Sequence, residues 1–393
     1  MKGNMAMRNS TIGMKILMIS TDRSIFDKDS AVRLRLLEQA ALCLELHVIV
    51  FTPKGEQFKK FHDGKHLFVY PTASSHKFTY LPDAYACAKK ILPKKAHKER
   101  WLVSTQDPFE TGALGYLVAR KFHLPLHLQL HTDPFSVAWR SEKFLNRARY
   151  AIMLFLLRQA SGIRVVSDRV FRSVCALGIA KERITKIPIF VDTEKFMNAV
   201  PAFDLHRSYP EFSTIILSMG RLQPEKNYRG LIRAFAQVRA LHDDALLLIV
   251  GSGPERDRLL SLARSLDLDA CVKILPWARD VVSYYKTCDV YVQPSLYEGW
   301  GLAVIEALAS GAPVVMTDVG CAGEVVRNGK TGIVVPPQNE QALAEAILRM
   351  LGDTLLRTTL AANGKEEVKK CVTKSETLRL YKESWAKSFA QSE

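Results

Sequence analysis

Short apolar runs at residues 15–20, 46–51, 67–70, 101–104, 126–130, 163–166 and 184–187 alternate with longer stretches. In some of those, such as the stretch from Ser30 to Leu44, apolar positions recur at helical spacing. Compact apolar runs suit strands buried on both faces, and strands of that kind alternating with helices predict βαβ units around a largely parallel sheet. The periodicity fails near residues 188–213, where Pro188, Pro201 and Pro210 interrupt it. It then restarts, with strand-like runs at 214–218, 246–250, 272–275, 290–292, 313–316 and 332–335. One amphipathic helix over 375–389 closes the chain, and its Leu378, Leu380, Tyr381 and Trp385 need a surface to dock on. The pattern therefore predicts two α/β domains, residues 1–200 and 201–372, followed by a helical segment in 373–393.

Length and composition agree with that division. A chain of 393 residues exceeds what one hydrophobic core usually organises. Its 48% apolar and 24% charged residues are those of an ordinary globular protein. The seven cysteines form no Cys-x-x-Cys pair, so a reducing compartment is expected and no metal site is proposed. Residues 1–13 are polar and expected to be disordered, and no apolar run is long enough to span a bilayer, which points to a cytoplasmic protein.

Charge separates the two halves. Residues 1–200 hold 32 Lys and Arg against 17 Asp and Glu, whereas residues 201–393 hold 23 of each, so the whole net charge of +15 lies in the first half. Such a domain suits an anionic partner: nucleic acid, an acidic membrane surface or a phosphate-bearing substrate. Lys89, Lys90, Lys94, Lys95 and Lys98 cluster in one stretch and fit an anionic lipid surface.

Four loops of the second half follow strand-like runs, so they converge at the edge where parallel sheets bind ligands. In the first, Gly220, Arg221 and Lys226 surround a turn, and the two cations suit one pyrophosphate. Gly251 and Gly253 in the second permit tight turning and close approach before a helix. Trp277 and Ala278 in the third offer an indole and neighbouring backbone to a nucleobase. The fourth runs from Pro294 to Glu306: Glu298 stands in a loop, Gly299 and Gly301 flank a Trp, and a helix begins at Leu302. Free amides at that helix start favour a phosphate, and Glu306 lies about one turn inside.

Together the Glu-Gly-x-Gly-Leu-x-x-x-Glu arrangement, Gly220-Arg221 with Lys226, Gly251-x-Gly253-Pro254, Ala312-Pro-Val-Val315 and Gly323-Glu324 resemble the retaining glycosyltransferases of family 4, glycosyltransferase group 1. The resemblance spans nearly the whole chain. It implies a GT-B fold, two Rossmann-like domains with parallel sheets facing across a cleft, the first binding acceptor and the second donor. It also implies that the last helix returns to the first domain.

Carried onto this sequence, the resemblance gives Arg221 and Lys226 to the donor pyrophosphate and the amides near Gly301 and Leu302 to its terminal phosphate. Glu306 binds ribose, Glu298 the transferred sugar, the segment at Trp277 and Ala278 the base, and His131 stands near the anomeric carbon. The implied reaction moves a hexose-type sugar from a UDP- or GDP-sugar to a glycan or lipid-linked acceptor, as in bacterial polysaccharide or lipopolysaccharide synthesis. It needs no cofactor or metal, and the protein would sit on the inner face of the membrane. Two departures stand out: Ser20 to Phe26 lacks the paired glycines many relatives have, and Ile189-Phe190 replaces the usual Asn-Gly. Competing readings are a sugar-nucleotide epimerase of the same fold and a basic nucleic-acid-binding protein. A dehydrogenase is disfavoured, because no Gly-x-Gly-x-x-Gly follows the first strand.

Overall fold

A computed structural model of the chain describes residues 13–55 and 57–390. Apart from Gly13, the segment expected to be disordered lies outside them.

Among the described residues the first half builds an eight-stranded sheet from β1 (Lys15–Ser20), β2 (Glu45–Val50), β3 (Phe61–Asp63), β4 (Leu67–Pro71), β5 (Trp101–Thr105), β6 (Leu126–Leu130), β7 (Gly162–Val165) and β8 (Ile184–Lys186). Their order is β3-β4-β2-β1-β5-β6-β7-β8. All pairs are parallel except β3 with β4. The apolar runs become strands because helices cover both faces: β5 and β6 are buried at every residue. The edge strand β3 went unread, since Phe61-His62-Asp63 is too short and mixed to show a period.

The second half repeats the plan with β9 (Thr214–Met219), β10 (Ala245–Val250), β11 (Val272–Leu275), β12 (Val290–Gln293), β13 (Val314–Thr317) and β14 (Ile333–Val335). The order β11-β10-β9-β12-β13-β14 is all parallel. It reverses between β9 and β12, the point at which doubly wound sheets open a crevice for ligands.

The stretch between the sheets is more ordered than its prolines suggest. It carries the helices Thr193–Asn198 and Leu205–Ser208, whose Phe196 and Leu205 enter the second core together with Phe212. The last helix, Lys374–Ala390, packs on β5 to β8 of the first sheet. Trp385 is completely buried there, and the Ser384 hydroxyl lies 2.9 Å from Nε2 of His127 in β6. Gly162 in β7 is glycine because a Cβ would run into Ser388 of that helix.

Candidate functional site

The strand β12 ends in Gln293, a polar residue closing an apolar strand, and its amide begins a network that fixes Glu298. Tyr291 donates to the Gln293 Oε1 at 2.6 Å, which orients the amide so that its Nε2 donates to Glu298 Oε1 at 3.0 Å. Ser295 Oγ donates to the same oxygen at 2.8 Å, and Lys226 Nζ reaches it at 2.5 Å. Lys226 and Glu298 are each 15% exposed, so they form one half-buried pair and not two independent ligand contacts. Oε2 of Glu298 has no hydrogen-bond partner among the described residues.

Lys226 reaches that position because its loop is doubly anchored. Leu222 N donates to Ser252 O at 2.9 Å, and Leu296 N donates to Glu225 O at 2.8 Å. Arg221 follows a different course from the one expected: its side chain is 75% exposed and pairs with Glu225 at 3.4 Å. The glycines also acquire a reason of their own. A Cβ on Gly251 would strike the Gly220 carbonyl, and one on Gly253 would strike the Leu222 backbone. Their smallness lets two loops close on each other, which a ligand need not explain. Trp277 is 58% exposed beside these loops, with Ala278 half-buried next to it.

Gly301 takes φ +102°, a conformation that favours glycine, and starts the helix Leu302–Ser310 without a side-chain cap. The first amides of that helix therefore have no side chain to satisfy them, and the helix dipole adds partial positive charge there. Leu302 is partly exposed at that end. One turn on, half-buried Glu306 accepts a hydrogen bond from Tyr285 at 3.1 Å. Burial pushes its pKa up, while the Tyr285 hydroxyl and Lys195 pull it down.

The first domain meets this edge at His131, just past β6. Gly299 lies so close to the His131 carbonyl that any Cβ would collide with it, so the two domains touch backbone to backbone here. Tyr297 reinforces the contact by donating to Glu142. His131 is open to solvent at the strand end, yet protein crowds around it. That crowding, aided by the neighbouring Arg164 cation, holds its pKa well below the ordinary value. Arg164 Nη1 lies 3.3 Å from His131 Nε2. Because guanidinium only donates, Nε2 must accept, which makes the ring neutral with its proton on Nδ1.

On the other side of the interface, Lys186 bridges Asp168 at 2.8 Å and Glu324 at 2.5 Å. Glu324 also accepts from the Asp168 amide, and Arg169 pairs with Asp318.

Residues 206–367 match the family described as "Glycosyl transferases group 1", and residues 35–195 match "Glycosyltransferase Family 4". The two matches fall on the two sheets in turn. The chain belongs to the group 1 glycosyltransferases. An uncharacterised glycosyltransferase of Methanocaldococcus jannaschii is 36% identical over 156 residues, 39% of this chain and 40% of the relative. The lipopolysaccharide core biosynthesis glycosyltransferase LpsE of Rhizobium meliloti is 32% identical over 157 residues, 40% of this chain and 45% of the relative. The chain thus matches less than half the length of these relatives. The crystal structure of Anabaena HepE in complex with UDP and glucose superposes with a TM-score of 0.72 at 21% identity. That superposition covers 94% of this chain and 97% of HepE, so the two share the GT-B fold.

Within this candidate site several residues escaped the sequence reading. Gln293, Ser295 and Tyr285, which hold the two glutamates, stand outside the recognised spacing. Gln293 alone left a signal, a polar side chain ending an apolar strand. Gly320, whose φ is +56° and whose Cβ would meet the Trp300 carbonyl, is also part of the fit.

Proposed function

We propose that the protein transfers a sugar from a nucleoside-diphosphate sugar to a glycan or lipid-linked acceptor in the cleft between His131 and Glu298. The uncapped start of the helix Leu302–Ser310, beside the Lys226–Glu298 pair and one turn before Glu306, is the observation that supports this most. A diphosphate leaving group needs positive potential that strengthens as charge develops on it. Aligned amides and Lys226 supply that without rearrangement. Glu306 suits a ribose diol and the free Oε2 of Glu298 a sugar hydroxyl, while Trp277 offers a face to the base.

The neutral His131, with Nε2 engaged by Arg164, keeps Nδ1–H as its donor. It cannot act as a base through Nε2 unless that contact opens. Exposed Arg221 serves the pyrophosphate only if its side chain leaves Glu225. Retention of configuration, a hexose-type sugar and metal-independent transfer belong to the same proposal. So does action in polysaccharide or lipopolysaccharide synthesis, which the naming of LpsE supports, and so does a place at the inner face of the membrane. The HepE complex favours UDP as the leaving group.

Melting the protein against a panel of UDP- and GDP-sugars tests the reading. One sugar nucleotide should raise the melting temperature and be consumed with release of its nucleoside diphosphate. A panel without any stabilising member would overturn the proposal.

A further inference from the structure

A pocket of about 110 Å³ is lined by His131 and by no residue of the donor loops, and is walled by the helix Ala31–Ala40, the segment after β8 and the last helix. It has room for one small oxyanion or a few waters. Arg35, Arg164 and Lys374 line it against one acid, Glu38, which is already tied to Lys374 at 2.5 Å. Ile189 and Phe190, where the sequence departs from the family pattern, form another part of its wall.

Arg164 is the unusual member. It is 2% exposed, and its guanidinium donates only to neutral acceptors: Gln129 Oε1 at 2.8 Å and the Ile187 carbonyl at 3.0 Å, with His131 at 3.3 Å. The Tyr381 ring lies 4.6 Å from it and returns part of the lost solvation. Among the described residues no carboxylate bonds to it, and its Nε has no partner. Thr377, on the same pocket, likewise has a buried hydroxyl without a partner. A buried cation without a counter-ion and a buried hydroxyl without an acceptor are both costly, and one ligand would relieve the two together.

We propose that this pocket binds a small oxyanion, with a phosphate group as its best fit. Arg35 and Arg164 supply the charge, and Thr377 donates its hydroxyl. Because His131 is shared with the cleft, the ligand is either a phosphate carried by the acceptor or free phosphate bound beside it.

The test titrates inorganic phosphate into the full chain saturated with UDP, so that the donor site is closed to phosphate. Phosphate should stabilise the protein further. Arg35→Gln, at an exposed position that folding tolerates, should weaken it roughly tenfold or more, as loss of a charged hydrogen bond does. Thr377→Val should also weaken the phosphate response, by about tenfold for one hydrogen bond to a charged group, while keeping the UDP response, and without phosphate it should melt no lower than the parent. Hexose monophosphates binding more tightly than inorganic phosphate would mark an acceptor-borne group, and equal binding a free ion. No phosphate response, or one unchanged in both variants, overturns the site. Failure of UDP alone to bind overturns the donor reading and leaves this pocket standing.

Discussion

At the scale of single residues, Glu306 carries two opposed demands. Burial raises its pKa, so the folded state holds its proton more tightly than the unfolded chain does. The stability this contributes is present below the ordinary carboxylate pKa and is lost as pH rises through the folded value. Glu306→Gln removes that loss while the amide still accepts from Tyr285. The variant should therefore melt at the same temperature or higher near pH 7, yet bind the sugar nucleotide about 10- to 100-fold more weakly, the worth of a charged hydrogen bond. Paired melting curves and nucleotide titrations check both halves. Glu306 was legible from the sequence because its helical spacing from Gly301 fixes where it stands. Tyr285 was not, because it reaches Glu306 from the neighbouring helix Val281–Thr287, and no spacing along the chain encodes that meeting. The same holds for the exposed Arg221, since a cation beside a turn can face either way.

Among elements, the strands β6 and β10 were readable to within a residue, because burial on both faces leaves an unbroken apolar run. The amphipathic last helix was readable as a helix, but the means by which it is held was not. Its anchor is His127, buried between the Ser104 hydroxyl at 3.1 Å and Ser384 at 2.9 Å, with burial and Arg164 lowering its pKa to about 3. His127 stays neutral in the fold and takes up a proton on unfolding below about pH 6.5. Its contribution is complete above that pH and falls as pH drops toward the folded value, by about 1.4 kcal/mol per pH unit. Urea unfolding followed from pH 7 to pH 5 should show this decline, and His127→Gln should make it less steep. Crowded His131 and buried His47, whose pKa values are lowered by burial first, add to the slope in the same direction.

For the whole molecule, the charge division seen in the sequence becomes a surface. Lys89, Lys90, Lys94, Lys95 and Lys98 are all exposed, and Phe78, at 95% exposure, lies on the segment leading into the helix Tyr80–Ile91 that carries the first two of them. Anionic vesicles should carry the protein upward in a flotation gradient at low salt. Changing the five lysines to glutamine should abolish this, at about 1 kcal/mol per lysine, without altering UDP binding. Neutral vesicles serve as the control, and equal flotation on both would rule out charge as the cause.

The placement of the helix Lys374–Ala390 has a temporal consequence. The sheet it covers is complete at β8, but on the ribosome the whole second domain is made before the helix whose Tyr381 and Trp385 complete the core shared with Met14, Ile16 and Leu102 emerges. At roughly 5–20 residues per second, the first domain waits on the order of tens of seconds with an apolar stripe uncovered. Nascent chains released before Lys374 should be captured by chaperones or aggregate, even though every strand of both sheets has already been made.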